Sequence, residues 1–503
     1  MSEFDVVIVG AGPVGLFLGC ELGLAGCSVL VLERESAPHS PWRAEPLGNR
    51  GLFSTSIGAF DRRGLLSAVR KASGLPAGFD ADEPSRVRFA GHFAGMGINP
   101  ANIDFDALPY RLPSPAPDSM MSSLDAIETV LSERASELGV QVRYGVPVSG
   151  IAQHNRGVSV RSGDREFRAR WAVGCDGGRS VVRKLAGFEF VGTEPQFTGY
   201  SVLASIAEPH ELRSGFTLTP TGMYLLRPDG LISMMDFDGG AFDRARQPTL
   251  DELQTVLRRV SGTAVTLNEV HYASTFTDRA MQASTYRRGR ILLAGDAAHI
   301  HSPLGGQGLN TGLGDAMNLG WKLAATVRGD ASEGLLDTYT RERHPIGAHV
   351  LDWSRAQVTA MRPDSYGKAI QAVIRDLIAT RDGSTYVFET IAGLSTRYDL
   401  DDAHPLIGRS APDFRLADGT RLAELMHDGL GVALDFSGDH QLEDSVSHWR
   451  NRIRYSAARV RNDLGLAAVL IRPDGIVAWI GEGDIDPAAF ERAATRWFGT
   501  AES

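Results

Sequence analysis

Three glycines near the start of the chain have the spacing of a phosphate-binding turn. Gly10, Gly12 and Gly15 follow the β-branched run 4–9 and precede a helical stretch at 16–25. In such a turn the first glycine permits a tight bend, the second lets the backbone approach a pyrophosphate, and the third allows close packing of helix on strand. The free N–H groups and the positive dipole end of the following helix attract an anion. The spacing therefore predicts a dinucleotide pyrophosphate at this turn.

An acidic residue follows the second predicted strand of this unit. Glu33 comes directly after the apolar run 28–32, about 20 residues beyond the turn, where a carboxylate accepts hydrogen bonds from a ribose diol. A carboxylate at this place repels a 2′-phosphate. The strand, turn, helix, strand and acid together predict a nucleotide-binding unit, and they leave NAD and FAD as alternatives.

Two later segments have the same form of a strand followed by a turn. The first, over 174–183, reads GCDGGRSVVR, and the second, over 289–310, reads GRILLAGDAAHIHSPLGGQGLN. In each, an acid at the strand end, Asp176 or Asp296, can reach sugar hydroxyls. In the second, the glycine-rich turn precedes a helix whose amides can face an electron-rich ring edge. Taken singly, each acid is more often a helix cap or turn residue, so their joint order carries the prediction.

In this order, the glycine turn with Glu33-Arg34 and the two later segments closely resemble the FAD-dependent class A aromatic hydroxylases related to p-hydroxybenzoate hydroxylase. The resemblance continues through Tyr339-Thr-Arg-Glu-Arg-His-Pro345, and the branch acting on aromatic polyketides and bulky phenols fits best. It implies an α/β (mixed α+β) fold: a Rossmann-like FAD-binding domain, an inserted antiparallel-sheet substrate domain and a thioredoxin-like C-terminal domain.

The resemblance also implies which residues bind FAD. Glu33 is expected on the adenosine ribose, Arg43 near the phosphates and the flavin, and Asp296 on the ribityl chain. The amides of 308–310 are expected at the flavin pyrimidine edge, which becomes anionic on reduction. Asp176 belongs to the motif that serves FAD and, indirectly, the pyridine nucleotide. The full set is Gly10, Gly12, Gly15, Glu33, Arg34, Arg43, Asp176, Gly177, Asp296, Pro303, Gly306, Gly308, Leu309 and Asn310.

Two positions depart from the family pattern. Leu124 stands where the family usually has a glutamine four residues before Glu128, which removes an expected FAD contact. The segment 51–53 reads Gly-Leu-Phe after Arg50, where the family has a polar residue, an apolar residue and a glutamate, so a flavin-flanking helix is not assured there. His299 and His301 suggest a catalytic pair or a metal site, but no further ligands stand at metal spacing, and we expect no metal.

The middle of the chain, about 196–276, changes to alternating strand patterns with a Pro-Asp-Gly turn at 228–230. It resembles the sheet that covers the substrate side of the flavin in the family. Tyr224, Arg227 and Met235 are candidates for the substrate pocket, with plain sheet core or rim as the alternative.

A boundary is predicted near 398–405, where turn formers cluster. The predicted FAD-binding domain comprises 1–190 and 277–398, the substrate domain 191–276 and the thioredoxin-like domain 399–503. This last domain contains no cysteine, so it cannot perform dithiol chemistry, and we expect a packing or dimer role.

The amino-acid composition limits the classes of binding partner and the cellular compartment that we expect. The chain has 51 Lys+Arg against 61 Asp+Glu, a net charge of -10, which disfavours nucleic acid and anionic membrane surfaces. The apolar stretch near the N-terminus lacks a basic flank and is broken by glycines, so neither a signal peptide nor a membrane span is expected. Three cysteines without a CxxC pair favour a reducing compartment, the cytoplasm. A homodimer is the candidate assembly.

The function that follows is hydroxylation of a bulky aromatic or phenolic substrate, an aromatic polyketide intermediate of antibiotic biosynthesis, by an FAD monooxygenase that consumes O2. Amino-acid side chains cannot activate O2, so the resemblance implies a flavin C4a-hydroperoxide, with NADPH or NADH as transient reductant. We assign no catalytic side chain; FAD itself is the catalytic group. Alternatives are Baeyer–Villiger oxygen insertion, a flavin-containing binding protein without turnover, and a two-electron flavin reductase.

Overall fold

The computed structural model describes residues 4–76, 90–436 and 440–501. In chain order its strands are β1 Phe4–Val9, β2 Val29–Leu32, β3 Asn49–Phe53, β4 His92–Phe93, β5 Met96–Gly97, β6 Ser119–Ser123, β7 Gln141–Arg143, β8 Gly150–His154, β9 Gly157–Ser162, β10 Arg165–Gly174, β11 Phe190–Thr193, β12 Thr198–Ile206, β13 Gly215–Leu218, β14 Gly222–Leu226, β15 Leu231–Asp236, β16 Leu267–Thr277, β17 Ala280–Ala283, β18 Arg287–Arg288, β19 Ile291–Leu293, β20 His299–Ile300, β21 Gly431–Asp435, β22 Ile453–Ala457, β23 Ala468–Ile471 and β24 Val477–Gly481.

The helices alternate with these strands in the first part of the chain and cluster after β20. In chain order they are α1 Pro13–Leu24, α2 Ser54–Asp61, α3 Leu66–Ala72, α4 Leu124–Glu137, α5 Val181–Leu185, α6 Leu250–Ser261, α7 Gln307–Arg328, α8 Thr338–Met361, α9 Ser365–Ile378, α10 Arg381–Ala392, α11 Leu422–Leu425, α12 Glu443–Ser447 and α13 Pro487–Phe498.

The central sheet has the order β18-β19-β10-β1-β2-β7, and β9 and β8 extend it beside β10. Strands β7, β2, β1, β10 and β19 run parallel, whereas β18 is antiparallel to β19. β1, α1 and β2 form the strand–helix–strand unit predicted from the glycine turn. Their apolar side chains are buried on both faces of the sheet, as parallel strands require.

The long helix α7 packs closely against α1. A Cβ atom at Gly312 would lie 2.6 Å from Val14 Cγ2, and one at Gly320 would lie 2.5 Å from Glu21 Cβ. Two helices can approach this closely only where such side chains are missing. The N-terminal ends of α1 and α7 are therefore brought to the same region of the molecule.

A second, antiparallel sheet has the order β13-β14-β15-β12-β16. Helix α6 covers one face of it through Leu253, Val256, Leu257 and Val260. Thr249 and Glu252 form a capping box at the start of α6, and Gly262 ends the helix in a left-handed conformation. The opposite face of this sheet points towards the FAD-binding part of the chain.

The C-terminal region forms a separate mixed sheet with the order β22-β21-β23-β24 and its own apolar core. β21 is parallel to β22 and antiparallel to β23. The mixed α/β fold class predicted from the sequence is confirmed. The antiparallel sheet spans 198–277 and the C-terminal sheet 431–481, while the exact domain limits remain predictions.

A buried ionic cluster joins α7 and α8 to the C-terminal sheet. Glu342 accepts hydrogen bonds from Lys322 at 2.8 Å and from both terminal nitrogens of Arg472, at 3.0 and 2.8 Å. Arg472 also pairs with Asp474, and Asn318 donates to both acids. Burial lowers the pKa of Lys322 to about 8, against the attraction of Glu342. Two cations and two anions balance, which permits burial without a net charge.

We predict that Arg472→Met strongly destabilises the protein. Methionine removes the guanidinium and leaves Glu342 and Asp474 buried with one cation between them, which costs about 3–5 kcal/mol of unfolding free energy. Urea denaturation measures this loss. The matched control is Arg168→Met, which removes an exposed pair with Glu166 and is expected to leave the unfolding midpoint nearly unchanged. Equal unfolding midpoints for the two variants would contradict the role of the cluster.

Candidate active site

Strand register aligns the sequence motifs at one edge of the central sheet. Val9 lies opposite both Leu32 and Gly174, and Gly174 in turn lies opposite Leu293. Because these strands are parallel, the residues that follow them emerge side by side at their carboxyl ends. The glycine turn, Glu33, the 175–178 turn and the 294–296 turn therefore meet at this edge, which is where open α/β sheets bind ligands.

The first turn has the close contacts expected of its three glycines. A Cβ atom at Gly10, whose φ is 107°, would lie 2.4 Å from the carbonyl oxygen of Cys175, and one at Gly15 would lie 2.0 Å from Gly10 O. By contrast, apart from Gly12 and its two chain neighbours, no atom of the described residues lies within 4 Å of the Cβ position at Gly12. Gly10 and Gly15 thus permit internal packing, whereas Gly12 leaves open space beside the start of α1.

Glu33 is buried beside this turn. One carboxylate oxygen accepts a hydrogen bond from Ala11 N at 2.7 Å, and the other accepts one from Glu35 N at 3.0 Å. Each oxygen retains further acceptor capacity for a sugar hydroxyl. Arg34, in contrast, is exposed and pairs with Glu35, so its side chain points to the surface.

The start of α7 forms a second helix N-terminus at the site. Gly305 and Gly306 adopt left-handed conformations after Pro303, with φ of 76° and 67°. No side-chain cap and no acidic residue occupies the first turn of α7. By helix geometry the N–H groups of residues 307–309 lack intrahelical acceptors. They are available to an anionic or electron-rich group.

Asn310 has a different use from the one expected. Its side chain donates to Gly51 O and Gly306 O and accepts from Phe53 N, at 2.9, 2.9 and 3.0 Å. The side chain therefore ties β3 to the start of α7. The main-chain N–H of Asn310 is the first in α7 with a helix carbonyl acceptor four residues earlier. The N–H groups of Gly308 and Leu309 have no such acceptor and are available to a ligand.

The two strand-end acids differ in their surroundings. Asp176 accepts from Ser180 Oγ at 2.5 Å and from the backbone N–H groups of Val181 and Val182 at 2.6 and 3.0 Å, so it caps the start of α5. The alternative of a helix cap therefore holds for its carboxylate. Asp296 is exposed, and its Oδ1 lies 3.8 Å from the Cβ position of Gly308. Asp296 is the acid that faces the start of α7.

Arg43 is held by an internal ion pair with Glu128. Its Nη1 donates to Glu128 at 2.9 Å and to Pro38 O at 3.1 Å. Burial raises the pKa of Glu128 to about 7, although Arg43 opposes the shift. Leu124, the departure from the family pattern, begins α4 and donates its N–H to Gly48 O. The second departure, residues 51–53, lies in strand β3, and helix α2 follows it directly.

The three predicted pocket residues do not share one surface. Met235 lies on the face of the antiparallel sheet that points to the FAD-binding part, whereas Tyr224 packs under α6 and its hydroxyl accepts from Arg213 N. Strand alternation explains the difference: the neighbour Met223, not Tyr224, lies on the same face as Met235. Arg227 sits at the rim, where it pairs with Asp229 and donates to Pro46 O at 3.4 Å.

An apolar cluster that sequence reasoning missed fills the space between this face and the start of α7. Leu304, from the turn before α7, contributes to it. Other members are Phe53, Phe93, Ala94, Met96, Phe197, Met223, Met235, Val358 and Met361. The cluster also brings in the short β4–β5 hairpin, which is too short to predict from alternation.

His92 of that hairpin is buried against the Phe216 ring, with ring centroids 4.2 Å apart. Burial lowers the pKa of His92 to about 4, so its imidazole is neutral at pH 7. Its Nδ1 accepts from Gly95 N at 3.2 Å, which places the ring proton on Nε2.

These features fit FAD. The open space at Gly12 and the uncapped start of α1 match a pyrophosphate. The buried carboxylate of Glu33 matches a ribose, and the uncapped start of α7 matches a flavin edge. A fold of this type with such a site defines a class of flavoprotein. Among the described residues there is no group of three or more acidic, histidine or cysteine side chains placed to hold a metal ion, and no helix long and apolar enough to cross a membrane.

Comparison with known proteins identifies the family. Residues 3–354 match the FAD binding domain family and residues 404–501 match the aromatic-ring hydroxylase C-terminal family. The chain belongs to the FAD-dependent aromatic-ring hydroxylases, which are monooxygenases. The resemblance inferred from the three motifs is confirmed, as is FAD as the cofactor.

Relatives of similar length support this assignment. The chain is 44% identical to a monooxygenase of Claviceps purpurea (strain 20.1) over 98% of this chain and 97% of the relative. It is similar to the structure of OxyS anhydrotetracycline hydroxylase from Streptomyces rimosus, with a TM-score of 0.86, 34% identity and coverage of 99% of both chains. It is also similar to the Diels-Alderase PyrE3 of pyrroindomycin biosynthesis, with a TM-score of 0.82, 34% identity and coverage of 99% and 100%.

We predict that Gly12→Ala separates FAD binding from folding. The added methyl group meets no protein atom, so the apoprotein should unfold at an unchanged temperature, but the methyl group occupies the approach to the pyrophosphate. We expect FAD affinity to fall at least tenfold, measured by fluorescence titration. In Gly10→Ala the added group overlaps Cys175, and the apoprotein itself should be destabilised. Unchanged FAD affinity in Gly12→Ala would remove the glycine turn from the binding site.

Proposed function

We propose that the protein is an NAD(P)H-consuming FAD monooxygenase that hydroxylates a bulky aromatic or phenolic substrate, an aromatic polyketide intermediate of antibiotic biosynthesis. The observation that carries this proposal is the apolar cluster between the start of α7 and the antiparallel sheet. Its aromatic and thioether side chains suit a fused aromatic substrate.

The residues of this chain have four tasks in such a reaction. The turns at Gly12 and Glu33 hold the nucleotide half of FAD, and the uncapped amides of Gly308 and Leu309 stabilise negative charge at the flavin edge. Reduced FAD, when bound, supplies the activation of O2. The apolar cluster orients the substrate and excludes water from the reacting atoms. His92, kept neutral by burial, adds no charge that would disturb an electron-rich ring.

The sequence contains one glycine turn of the dinucleotide-binding type, and this limits how the reductant can bind. Because FAD takes that turn, the pyridine nucleotide has to bind transiently, reduce the flavin and leave. We propose a soluble enzyme of the cytoplasm that acts on a small aromatic molecule and O2. Its candidate assembly is a homodimer. Nucleic acid and membrane are not among the proposed partners.

A second candidate function is supported by one structural neighbour. The Diels-Alderase PyrE3 is similar over 99% of this chain, and a Diels–Alder reaction closes a ring without net oxidation. The corresponding proposal for this chain is a flavin-containing protein that binds and shapes a substrate without net oxidation. Baeyer–Villiger insertion beside a ketone is the alternative outcome at the same site, and product structure distinguishes it from ring hydroxylation.

Oxidation of NADPH and NADH by the FAD-loaded protein tests the proposal, with fused phenolic compounds present or absent and with products analysed by mass spectrometry under ¹⁸O2. We expect at least one compound to accelerate nucleotide oxidation tenfold or more and to gain one labelled oxygen atom. A new ring hydroxyl supports hydroxylation, whereas a labelled lactone supports insertion.

One control variant links the activity to bound flavin. Gly12→Ala, loaded at the same total FAD concentration, should lose activity in proportion to its lost flavin. If compounds bind and perturb the flavin spectrum but none accelerates nucleotide oxidation or gains oxygen, the monooxygenase proposal fails and the non-oxidative candidate replaces it.

A further inference from the structure

One face of α8 carries two buried hydrogen-bond donors without acceptors. Gln357 is fully buried, and its Nε2 has no partner among the described residues. One turn earlier, Trp353 Nε1 is likewise buried and unpartnered. Residues four apart lie on the same side of a helix, so both donors point in one general direction. Both side chains contact the β4–β5 hairpin that contributes to the apolar cluster.

The orientation of the Gln357 amide is fixed by its neighbour. Its Oε1 accepts a hydrogen bond from Ala94 N at 3.0 Å. An exchange of oxygen and nitrogen would place an N–H donor against the Ala94 N–H donor. The end of the amide without a partner is therefore the donor Nε2, and only an acceptor can satisfy it.

The Nε2 atom of Gln357 lies close to the turn that precedes α7. Gln357 Nε2 lies 3.5 Å from the place that a Cβ atom would take at Gly305. Gly305 belongs to the turn that leads into α7, and its neighbour Leu304 is part of the apolar cluster. Trp353 reaches the same cluster through an edge-to-face contact with Phe93, with ring centroids 5.0 Å apart.

Unpaired buried donors are rare because each loses its hydrogen bonds to water without compensation. A bound ligand can supply the missing partner of such a group. The side chains around this region include Met96, Met223, Met235 and Met361, whose unbranched thioethers can repack to admit a ligand. The acceptor that fits an apolar, aromatic-lined surface is a ring carbonyl oxygen, which carries no charge and has two lone pairs for two donors.

We propose that Gln357 and Trp353 determine substrate specificity by donating hydrogen bonds to a ring carbonyl oxygen of the aromatic substrate. This inference rests on the proposed function and adds the polar group by which the substrate is recognised. A site built to satisfy a ring oxygen discriminates strongly against an analogue that lacks it, because the donors then stay unpaired.

A purely structural role makes a different prediction. If Gln357 serves only to hold the hairpin through Ala94, its replacement weakens every ligand equally or only lowers stability. The two roles are separated by a pair of probes that differ in the ring carbonyls: 1,8-dihydroxyanthraquinone and 1,8-dihydroxyanthracene. Affinities are measured on the FAD-loaded protein from the change in flavin absorbance.

The wild type should bind the anthraquinone at least tenfold more tightly than the anthracene. In Gln357→Met and Trp353→Phe the anthraquinone should lose at least tenfold in affinity and the anthracene less than twofold. Trp353→Phe removes the N–H donor but keeps an aromatic ring to pack on Phe93, so we expect this variant to fold. The matched control is Trp321→Phe, which removes a buried, unpartnered indole N–H in the C-terminal core and should change neither affinity.

Equal losses for both probes, no loss in either variant, or a wild type that binds the two probes equally or not at all would overturn the inference. Nucleotide oxidation with the anthraquinone, followed in parallel, separates this failure from failure of the proposed function. Discrimination between the probes without oxidation of any phenolic compound contradicts the monooxygenase, whereas oxidation without discrimination contradicts only the donor pair.

Discussion

The parallel register of β1, β2, β10 and β19 is the constraint on which the rest of the site depends. Pairing of Val9 with both Leu32 and Gly174 brings segments far apart in the chain to one edge of the sheet. A shift of one residue in any pair would reverse the faces of that strand and move its turn away from the others. The close approach of Gly10 to Cys175 shows how little room the arrangement leaves.

Helix α7 extends this constraint to the whole molecule. Near its start, Asp315 accepts from Gly295 N, His299 Nε2 and Arg343 Nε at 3.0, 2.8 and 2.7 Å. Burial opposes ionisation of Asp315, but the charges of Arg343 and His299 outweigh it and lower its pKa. Further along, α7 contributes to the ionic cluster that holds the C-terminal sheet. The same helix therefore positions both the uncapped amides at its start and the contact with the C-terminal sheet.

The sequence was sufficient for the features that depend on local pattern. The glycine turn and the strand ends with Glu33 and Asp296 follow from spacing and turn chemistry. The first strand, Phe4–Val9, has the predicted bounds. The antiparallel sheet was also foreseen, because its alternation and its Pro-Asp-Gly turn are local signals.

Features that depend on distant partners could not be predicted. Helix α6 determines which face of β14 it covers, and the sequence does not show where α6 packs. Tyr224 was therefore placed in one pocket with Met235, although Tyr224 packs on the opposite face. The side-chain bonds of Asn310 and the two donors of α8 depend on segments hundreds of residues or several elements away. The cap made by Asp176 was the weaker alternative in the sequence and became evident only with α5 in place.

We propose that the aligned strand ends form a site that specifically binds the adenosine half of FAD. Competitive titration of the apoprotein with FAD, FMN and ADP tests it most directly. The account predicts one FAD per chain, displacement of FAD by ADP, and FMN affinity at least a hundredfold below that of FAD. FMN binding as tight as FAD binding, with no competition by ADP, would contradict it.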